Sequence, residues 1–471
     1  PSPTGYIHIG NLRAALFPWL LARQQGGDFI LRIEDTDQAR FVDGAEAKIL
    51  ETLDWLGIDW DEGPQLAGGE VGEYGPYHQT ERRDIYLAWA QKLIDKGLAY
   101  ADPYTPEEVQ AFRDEAKTNK KAFLYRDYRP ENPPTWQLGM PLRFKVPAVK
   151  RYTWHDPIMG ELSAGPEALD DFILIKSDGL PTYNFAHIID DYEMGITHVV
   201  RGSEYVASTP KYLSLYEALE IEPPVLACAP HIMAPAGNKK LGKRDGAKSA
   251  TEYRDDGILP EAMMSFLASL GWNDGTEQEV FTKDELIAKF SLERVQKSGA
   301  RFDEKRLLWM NGHFIRQLSL DDLYARCQPF WGEAAKNADE SHKKQVLALA
   351  QDRLKTLADL PGLTSYFFAE PEVDMSLIET NKQLKKLTSD ERRHLLQTTH
   401  DALATLDDWT PDAIQATLNQ LLETTGQKPG ILFSLVRITT TWAPFSPQLN
   451  DTLALLGKDT TLARLSQACS V

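Results

Sequence analysis

Two short stretches carry residue types suited to holding a polyphosphate. The first, Pro1-Ser2-Pro3-Thr4-Gly5-Tyr6-Ile7-His8-Ile9-Gly10-Asn11, contains a His-x-Gly-Asn step that runs straight into an amphipathic segment. A chain entering a helix this way presents backbone N–H groups and a positive dipole end to an anion. The second stretch, Lys239-Lys240-Leu241-Gly242-Lys243-Arg244, lies far downstream and sets Lys240 and Lys243 three residues apart beside a glycine. Each stretch alone is a weak signal, because a short motif is only a hypothesis until its surroundings support it. Together they suit a clamp, with His8 and the backbone at Gly10 on one side of a triphosphate and the two lysines on the other. Gly10 allows close approach of the nucleotide.

A carboxylate and a guanidinium form the second candidate pair. The mostly apolar run 29–33 is bounded by turns and reads as a buried strand, with Glu34-Asp35-Thr36-Asp37 at its carboxyl end. The run 197–200 reads as another strand, ending in Arg201-Gly202-Ser203-Glu204-Tyr205. Open α/β sheets bind ligands beyond the carboxyl ends of their strands, which makes Glu34 and Arg201 site candidates.

The elements that must position these residues follow from periodicity and caps. Leu12, Ala15, Leu16, Trp19 and Leu20 share one face of a helix over 11–23, with Pro18 inside it as a kink or weak point. A helix over 43–56 closes on Gly57, and another runs from Thr80 as N-cap to 96 before Gly97. Between 100 and 183, Pro130, Pro133, Pro134, Pro141 and Pro147 break the pattern into short pieces, among them strands at 142–146 and 171–176. The sheet resumes with 183–189 and the acidic pair Asp190-Asp191, and Thr209-Pro210 opens a helix to 219. Short helices are expected at 262–270, 283–290 and 303–309, with a turn at Trp309, Met310, Asn311 and Gly312. Beyond 320 helical periodicity dominates: Val346, Leu347, Ala350, Leu354 and Leu357 form one stripe, and Ile414, Leu418, Leu421 and Leu422 form another after Thr410-Pro411. Lys428-Pro429-Gly430 separates the latter from a run over 431–438.

The expected fold class is α/β: a Rossmann-type parallel sheet split by an inserted α+β domain, followed by an all-helical C-terminal half. The expected boundaries are 1–75 and 184–236 for the two sheet halves, 76–183 for the insertion, 237–315 for a connecting domain with the basic loop, and 316–370 and 371–471 for helical subdomains. A parallel sheet needs a strand feeding the phosphate-binding turn, so a strand ahead of Pro1 is also expected.

At 471 residues the chain exceeds one core and suggests about three to five domains. Its composition, 42% hydrophobic and 25% charged, is that of an ordinary globular protein, without an apolar run of membrane-spanning length or a signal-peptide pattern. Three scattered cysteines, Cys228, Cys327 and Cys469, fit a reducing cytoplasm and lack zinc-ligand spacing. A net charge of −18 opposes nucleic-acid binding as an average, but a binding face needs only a local cluster. Residues 238–250 provide one, with Lys239, Lys240, Lys243, Arg244 and Lys248 against Asp245.

Pro1 to Gly10, then Arg32-Ile33-Glu34-Asp35-Thr36-Asp37, Arg201-Gly202 and Lys240-Leu241-Gly242-Lys243-Arg244 occur in the order found in bacterial glutamyl-tRNA synthetases of class I, which the chain resembles over nearly its whole length. The resemblance implies ATP-dependent formation of a glutamyl-adenylate, with Mg²⁺ accompanying ATP, then transfer to tRNA(Glu), with tRNA needed for activation. It assigns His8, Lys240 and Lys243 to catalysis, and His8, Gly10, Glu204, Lys240 and Lys243 to ATP. Ser2, Glu34, Tyr183, His187, Arg201 and Tyr205 fall on glutamate-pocket positions, of which those of His187 and Tyr205 vary in the family. Glu34 would meet the ammonium and Arg201 the side-chain carboxylate, which neutral glutamine could not match.

The insertion would grip the tRNA acceptor end, with Arg126, Arg129 and Lys145 available to phosphates, and the helical tail would read the anticodon, with Arg353 checking one base. The expected strand ahead of Pro1 would carry a further substrate-binding arginine. Gly242 replaces the family's usual serine. No metal site is expected, since the insertion lacks the cysteines that bind zinc in some members. The implied protein is a cytoplasmic monomer. A non-discriminating synthetase that also charges tRNA(Gln) is one alternative, and a non-catalytic RNA-binding paralogue is another. A shortened relative that glutamylates a modified tRNA base lacks the helical tail present here.

Overall fold

In the computed structural model, which describes residues 1–5, 7–242 and 248–470, the chain forms two compact units. The first comprises Pro1–Glu252 with Met263–Asp303, and the second Tyr253–Ala262 with Glu304–Val471.

The first unit opens on helix α1 (Ile9–Gln25), which buries Ile9, Leu12, Leu16, Phe17, Trp19 and Leu20 and ends on Gly26 in the left-handed conformation. Helix α2 (Ala45–Leu56) ends the same way on Gly57. The stretch 29–33 between them is held by parallel bridges Ile30↔Glu62 and Ile33↔His78. The hairpin β1 (Gly63–Pro64) and β2 (Glu70–Val71) follows. Helix α3 (Arg83–Asp95) starts later than its sequence signal, after a 3₁₀ turn Gln79–Arg82. Thr80 does not cap it: its hydroxyl donates to Asp35 at 2.5 Å and its N–H donates to the same carboxylate at 2.9 Å. A tertiary carboxylate takes the place of the local cap.

The middle of this unit is an α+β layer. Strands β3 (Ala99–Ala101) and β4 (Leu142–Phe144) are antiparallel, helix α4 (Pro106–Thr118) is closed by a Thr105/Glu108 capping box, and β5 (Tyr152–Asp156) and β6 (Gly160–Ala164) form a hairpin. Strand β7 (Phe172–Ile175) completes the order β3-β4-β7. Arg126 and Arg129, expected to be available to phosphates, are committed internally. Arg129 pairs with Asp171 at 2.7 Å, and Arg126 donates to the carbonyls of Pro166 and Leu169, while Lys145 is exposed.

Residues 183–189, expected to resume the sheet, are instead the start of helix α5 (Tyr183–Glu193), which buries Phe185, Ala186, Ile188 and Ile189. A short apolar run bounded by turns fits a buried helix as well as a buried strand, and here packing between α3 and α6 (Thr209–Leu219) decided. Parallel pairing returns with β8 (His198–Gly202) and β9 (Val225–Ala229), whose register sets Arg201 opposite Cys228. A cavity of about 970 Å³ lies between 28–32 and 196–200, with Ala14, Ala15, Pro18 and Leu21 of α1 on one wall.

Described residues 304–470 of the second unit form helices and 3₁₀ turns. Trp309 to Gly312, expected to be a turn, lies inside the helix Glu304–Gln317. Asn311 is buried and accepts from Leu259 N–H at 2.8 Å while donating to the Lys355 carbonyl at 2.7 Å. Its amide serves long-range partners rather than a local turn. Among the described residues no helix is long and apolar enough to cross a membrane.

Candidate active site

His8 is the N-cap of α1, and its Nδ1 accepts from Gly10 N–H at 3.1 Å. That acceptor role places the proton of a neutral ring on Nε2, a donor of the kind a phosphate oxygen takes. The need for glycine at position 10 is visible here, since a Cβ would sit 3.0 Å from His8 Cε1. Arg13, one turn on, is buried and donates to the carbonyls of Leu270 (2.7 Å) and Pro230, fixing α1 against both segments. Burial pushes its guanidinium down to about 10.

The distant basic loop comes to this helix start. Ile7 carbonyl accepts from Ala250 N–H at 3.2 Å, and His8 bridges to Ser249. On the near side, Leu241 N–H donates to the Ile232 carbonyl at 2.9 Å, and Met233 bridges to Lys240. The far flank is thereby pinned to the start of α1, and the near flank to 232–233. Lys240 is exposed and lies 3.5 Å from Glu204 Oε1, whose other oxygen is 3.5 Å from His231 Nδ1. Lys243 lies outside the described residues.

The Glu34 side is built differently. Pro1 carbonyl accepts from Glu34 N–H and Pro3 carbonyl from Val42 N–H, which lays Ser2 alongside Glu34. Arg32 lies 3.4 Å from Glu34, 3.0 Å from Asp191 and 3.6 Å from Asp190. The fully buried Asp190 also accepts from Arg82 (2.7 Å), Gln79 (2.8 Å) and Tyr86 (2.7 Å). Burial opposes charge on Arg32, but Asp191, Asp190 and Glu34 outweigh it and hold the guanidinium ionised. Burial raises the Asp191 carboxyl, with Arg32 working against the rise.

Arg201 is 8% exposed and has no ion-pair partner among the described residues. Tyr205 and Tyr212 rings each sit 5.0 Å from its guanidinium carbon, and Nη1 is 3.3 Å from His187 Nε2. Its Nε is buried without a partner. Tyr183 stacks on His187 with centroids 4.6 Å apart and meets Tyr205 at 5.5 Å. Burial, then the charge of Glu34, lifts the Tyr183 phenol well above its ordinary range, so it stays a neutral donor. A desolvated cation without a counter-charge is costly, and the arrangement makes chemical sense if an anion completes it.

Tyr183, His187, Arg201 and Tyr205 thus form one cluster, with the charge of Glu34 reaching Tyr183 and Tyr205, while Lys240 and Glu204 meet at the near flank of the basic loop, whose far flank joins the helix start at His8. Arg353 belongs to the other unit, exposed in the 3₁₀ turn Gln351–Arg353; burial, then its charge, lowers the Arg437 guanidinium. Sequence reasoning overlooked Arg13, Arg32, Asp191 and Tyr212. Arg32 lies inside the predicted strand 29–33, two residues before Glu34, and Asp191 lies four residues after His187; that proximity was the available signal. Among the described residues, Glu70, His78 and Glu81 have metal-ligand chemistry, but the His78 nitrogens already face Glu70 at 3.0 Å and Glu46 at 3.1 Å.

Comparison with known proteins adds an independent line. Residues 1–309 match the family described as tRNA synthetases class I (E and Q), catalytic domain, and residues 322–469 match an anticodon binding domain. A glutamate–tRNA ligase of Dehalococcoides mccartyi is 39% identical, covering 99% of this chain and 96% of that relative. One from Chloroflexus aurantiacus is 40% identical with the same two coverages. The crystal structure of a glutamate tRNA ligase from Elizabethkingia meningosepticum in complex with its amino acid superposes with a TM-score of 0.86 at 33% identity, covering 100% of this chain and 98% of that one.

Proposed function

The chain belongs to the class I tRNA synthetases for E and Q, and from that premise we propose that it attaches L-glutamate to tRNA(Glu) through a glutamyl-adenylate, using ATP. The observation that carries the choice of amino acid is Arg201, a buried guanidinium with no ion-pair partner among the described residues, beside Tyr183, which the charge of Glu34 also reaches. Glu34 takes the substrate ammonium and Arg201 the side-chain carboxylate, with Ser2, Tyr183 and Tyr205 completing the pocket. Glutamine would leave the guanidinium unmatched, which is the type of mismatch that supports discrimination of about 10⁴ or more.

Activation requires the α-carboxylate in line with the α-phosphorus and stabilisation of charge as pyrophosphate leaves. His8 Nε2–H and the positive dipole end of α1 face the phosphate oxygens, and Lys240 with Lys243 takes the β and γ charge. Lys240 must exchange its exposed contact with Glu204 for the phosphates, a change of small cost because such a pair is worth at most about 1 kcal/mol. Mg²⁺ enters with the triphosphate; Glu204 is a hard oxygen donor of the kind it takes, and when bound the ion neutralises phosphate charge. The terminal ribose hydroxyl of the tRNA then takes the acyl group and releases AMP.

In this reading 1–75 and 184–236 form the two halves of the catalytic sheet. Residues 76–183 grip the acceptor end, 237–315 connect and carry the basic loop, and 316–370 and 371–471 read the anticodon, where Arg353 contacts a base. The enzyme works in the cytoplasm as a monomer. ATP–pyrophosphate exchange with glutamate, with and without tRNA(Glu), is the test. Exchange that depends on glutamate and is strongest with tRNA is expected; no exchange even with tRNA refutes the proposal.

A further inference from the structure

Both ring nitrogens of His187 are engaged. Nδ1 lies 2.7 Å from the carbonyl of Tyr183, one turn earlier in α5. A carbonyl can only accept, so Nδ1 carries a proton. Nε2 lies 3.3 Å from Arg201 Nη1. A guanidinium can only donate, so Nε2 presents its lone pair. The ring is therefore neutral, in one tautomer, with no donor left for a substrate carboxylate. Its plane is held by the parallel stack on Tyr183, at 10°, and by the edge contact with Tyr212, at 4.6 Å and 76°.

We infer that His187 is a positioning residue: through Nε2 it sets the rotation of the Arg201 guanidinium toward the substrate's side-chain carboxylate and does not itself bind the substrate. This rests on the reading of Arg201 as the carboxylate partner. The remaining contacts described for Arg201 include the faces of Tyr205 and Tyr212, and a ring face attracts a cation without specifying which N–H edge points where. Two-pronged recognition of a carboxylate depends on that edge. An acceptor of fixed direction at Nη1 supplies that constraint, beside the hydrogen bond Arg201 shares with the Tyr183 side chain, and the buried, unpartnered Nε belongs to the edge that remains.

The groups around the ring agree with a permanently neutral imidazole. Tyr183 faces it from its own helix, Arg201 from β8, Tyr212 from α6, and Arg32 acts from further away. Burial first, then the positive charge of Arg201, holds protonation of His187 well below the ordinary histidine range. Glutamate binding should then show no step from this residue across the interval in which an ordinary histidine titrates.

The test uses the full chain with His187→Leu, which removes the acceptor, and His187→Gln, which returns an amide oxygen at similar reach. Exchange kinetics with tRNA are measured at varied glutamate and varied ATP, and ¹⁵N NMR reads the imidazole of the unsubstituted protein between about pH 5 and 8. The Leu variant should raise KM for glutamate about tenfold with KM for ATP unchanged, the worth of one charge-assisted hydrogen bond. The Gln variant should recover most of the loss, and NMR should show Nδ1 protonated and Nε2 bare throughout. An unchanged glutamate KM in the Leu variant, no recovery in the Gln variant, or a protonated Nε2 overturns the inference. Should the Leu variant fail to fold, the Gln kinetics and the tautomer decide. Absence of glutamate activation by the unsubstituted enzyme refutes the proposed function instead, and the tautomer still reports on the His187–Arg201 bond.

Discussion

The amino-acid pocket and the phosphate face lie side by side in one unit and are built on opposite plans. In the pocket, Arg201 is 8% exposed, and Arg32, Asp190 and Asp191 are interlocked behind Glu34. On the phosphate face, His8 and Glu204 are exposed, and the Lys240 side chain is 53% exposed and lies 3.5 Å from Glu204. The contrast follows from what each must recognise. Choosing a side-chain carboxylate over an amide requires charges already desolvated and oriented before the substrate arrives. Holding a triphosphate requires cations that stay hydrated until it does, because a buried unpaired lysine would lose its proton or destabilise the fold. On the proposed reading, selectivity belongs to the buried half and charge neutralisation to the open half.

Three substitutions would break or sharpen this contrast. Arg201→Ala should lower kcat/KM for glutamate on the order of 10³-fold and erase the preference over glutamine, while the melting temperature does not fall, because an uncompensated buried charge has been removed. Steady-state exchange and calorimetry check both halves; a marked loss of stability would mean that the guanidinium is structural. Lys240→Ala should cost about 10² in kcat for activation, with stability unchanged and glutamate KM little affected. If glutamate KM rises as much as kcat falls, the two regions are not separable in function. The smallest catalytic effect is expected from Arg32→Met, roughly tenfold in glutamate KM, but here the melting temperature should drop by several degrees, since Asp191 and Glu34 lose their counter-charge. A stable Arg32→Met protein with normal kinetics would show that the network does not hold Glu34.

Legibility from sequence differed between the two regions in the same way. His8, Gly10 and Lys240 could be found because a helix start and a basic loop announce themselves locally, in caps, glycines and charge spacing. Glu34 and Arg201 were found as ends of apolar runs, and 29–33 and β8 are where those runs pointed. Arg32 was named in the 32–37 motif but given no role, because its carboxylate partners Asp190 and Asp191 sit on α5, far along the chain. Residues 183–189 were assigned to the sheet for a related reason. Its continuous buried run 185–191 includes the polar His187, Asp190 and Asp191, so 183–189 reads as an apolar run before an acidic pair, and only the neighbours α3 and α6 distinguish it from a strand.

By itself the sequence determined which chemistry is available: a helix start with His8, paired lysines, and a carboxylate and an arginine at strand ends. Those are local consequences of residue type, cap and spacing. Only the tertiary structure decided that the basic loop returns to Ile7 and His8, that Arg201 is left buried without a counter-charge, and that His187 faces Arg201 with a lone pair rather than a proton. Burial and hydrogen-bond direction depend on residues that meet only after folding, and they turn a list of charged side chains into a pocket with a preference.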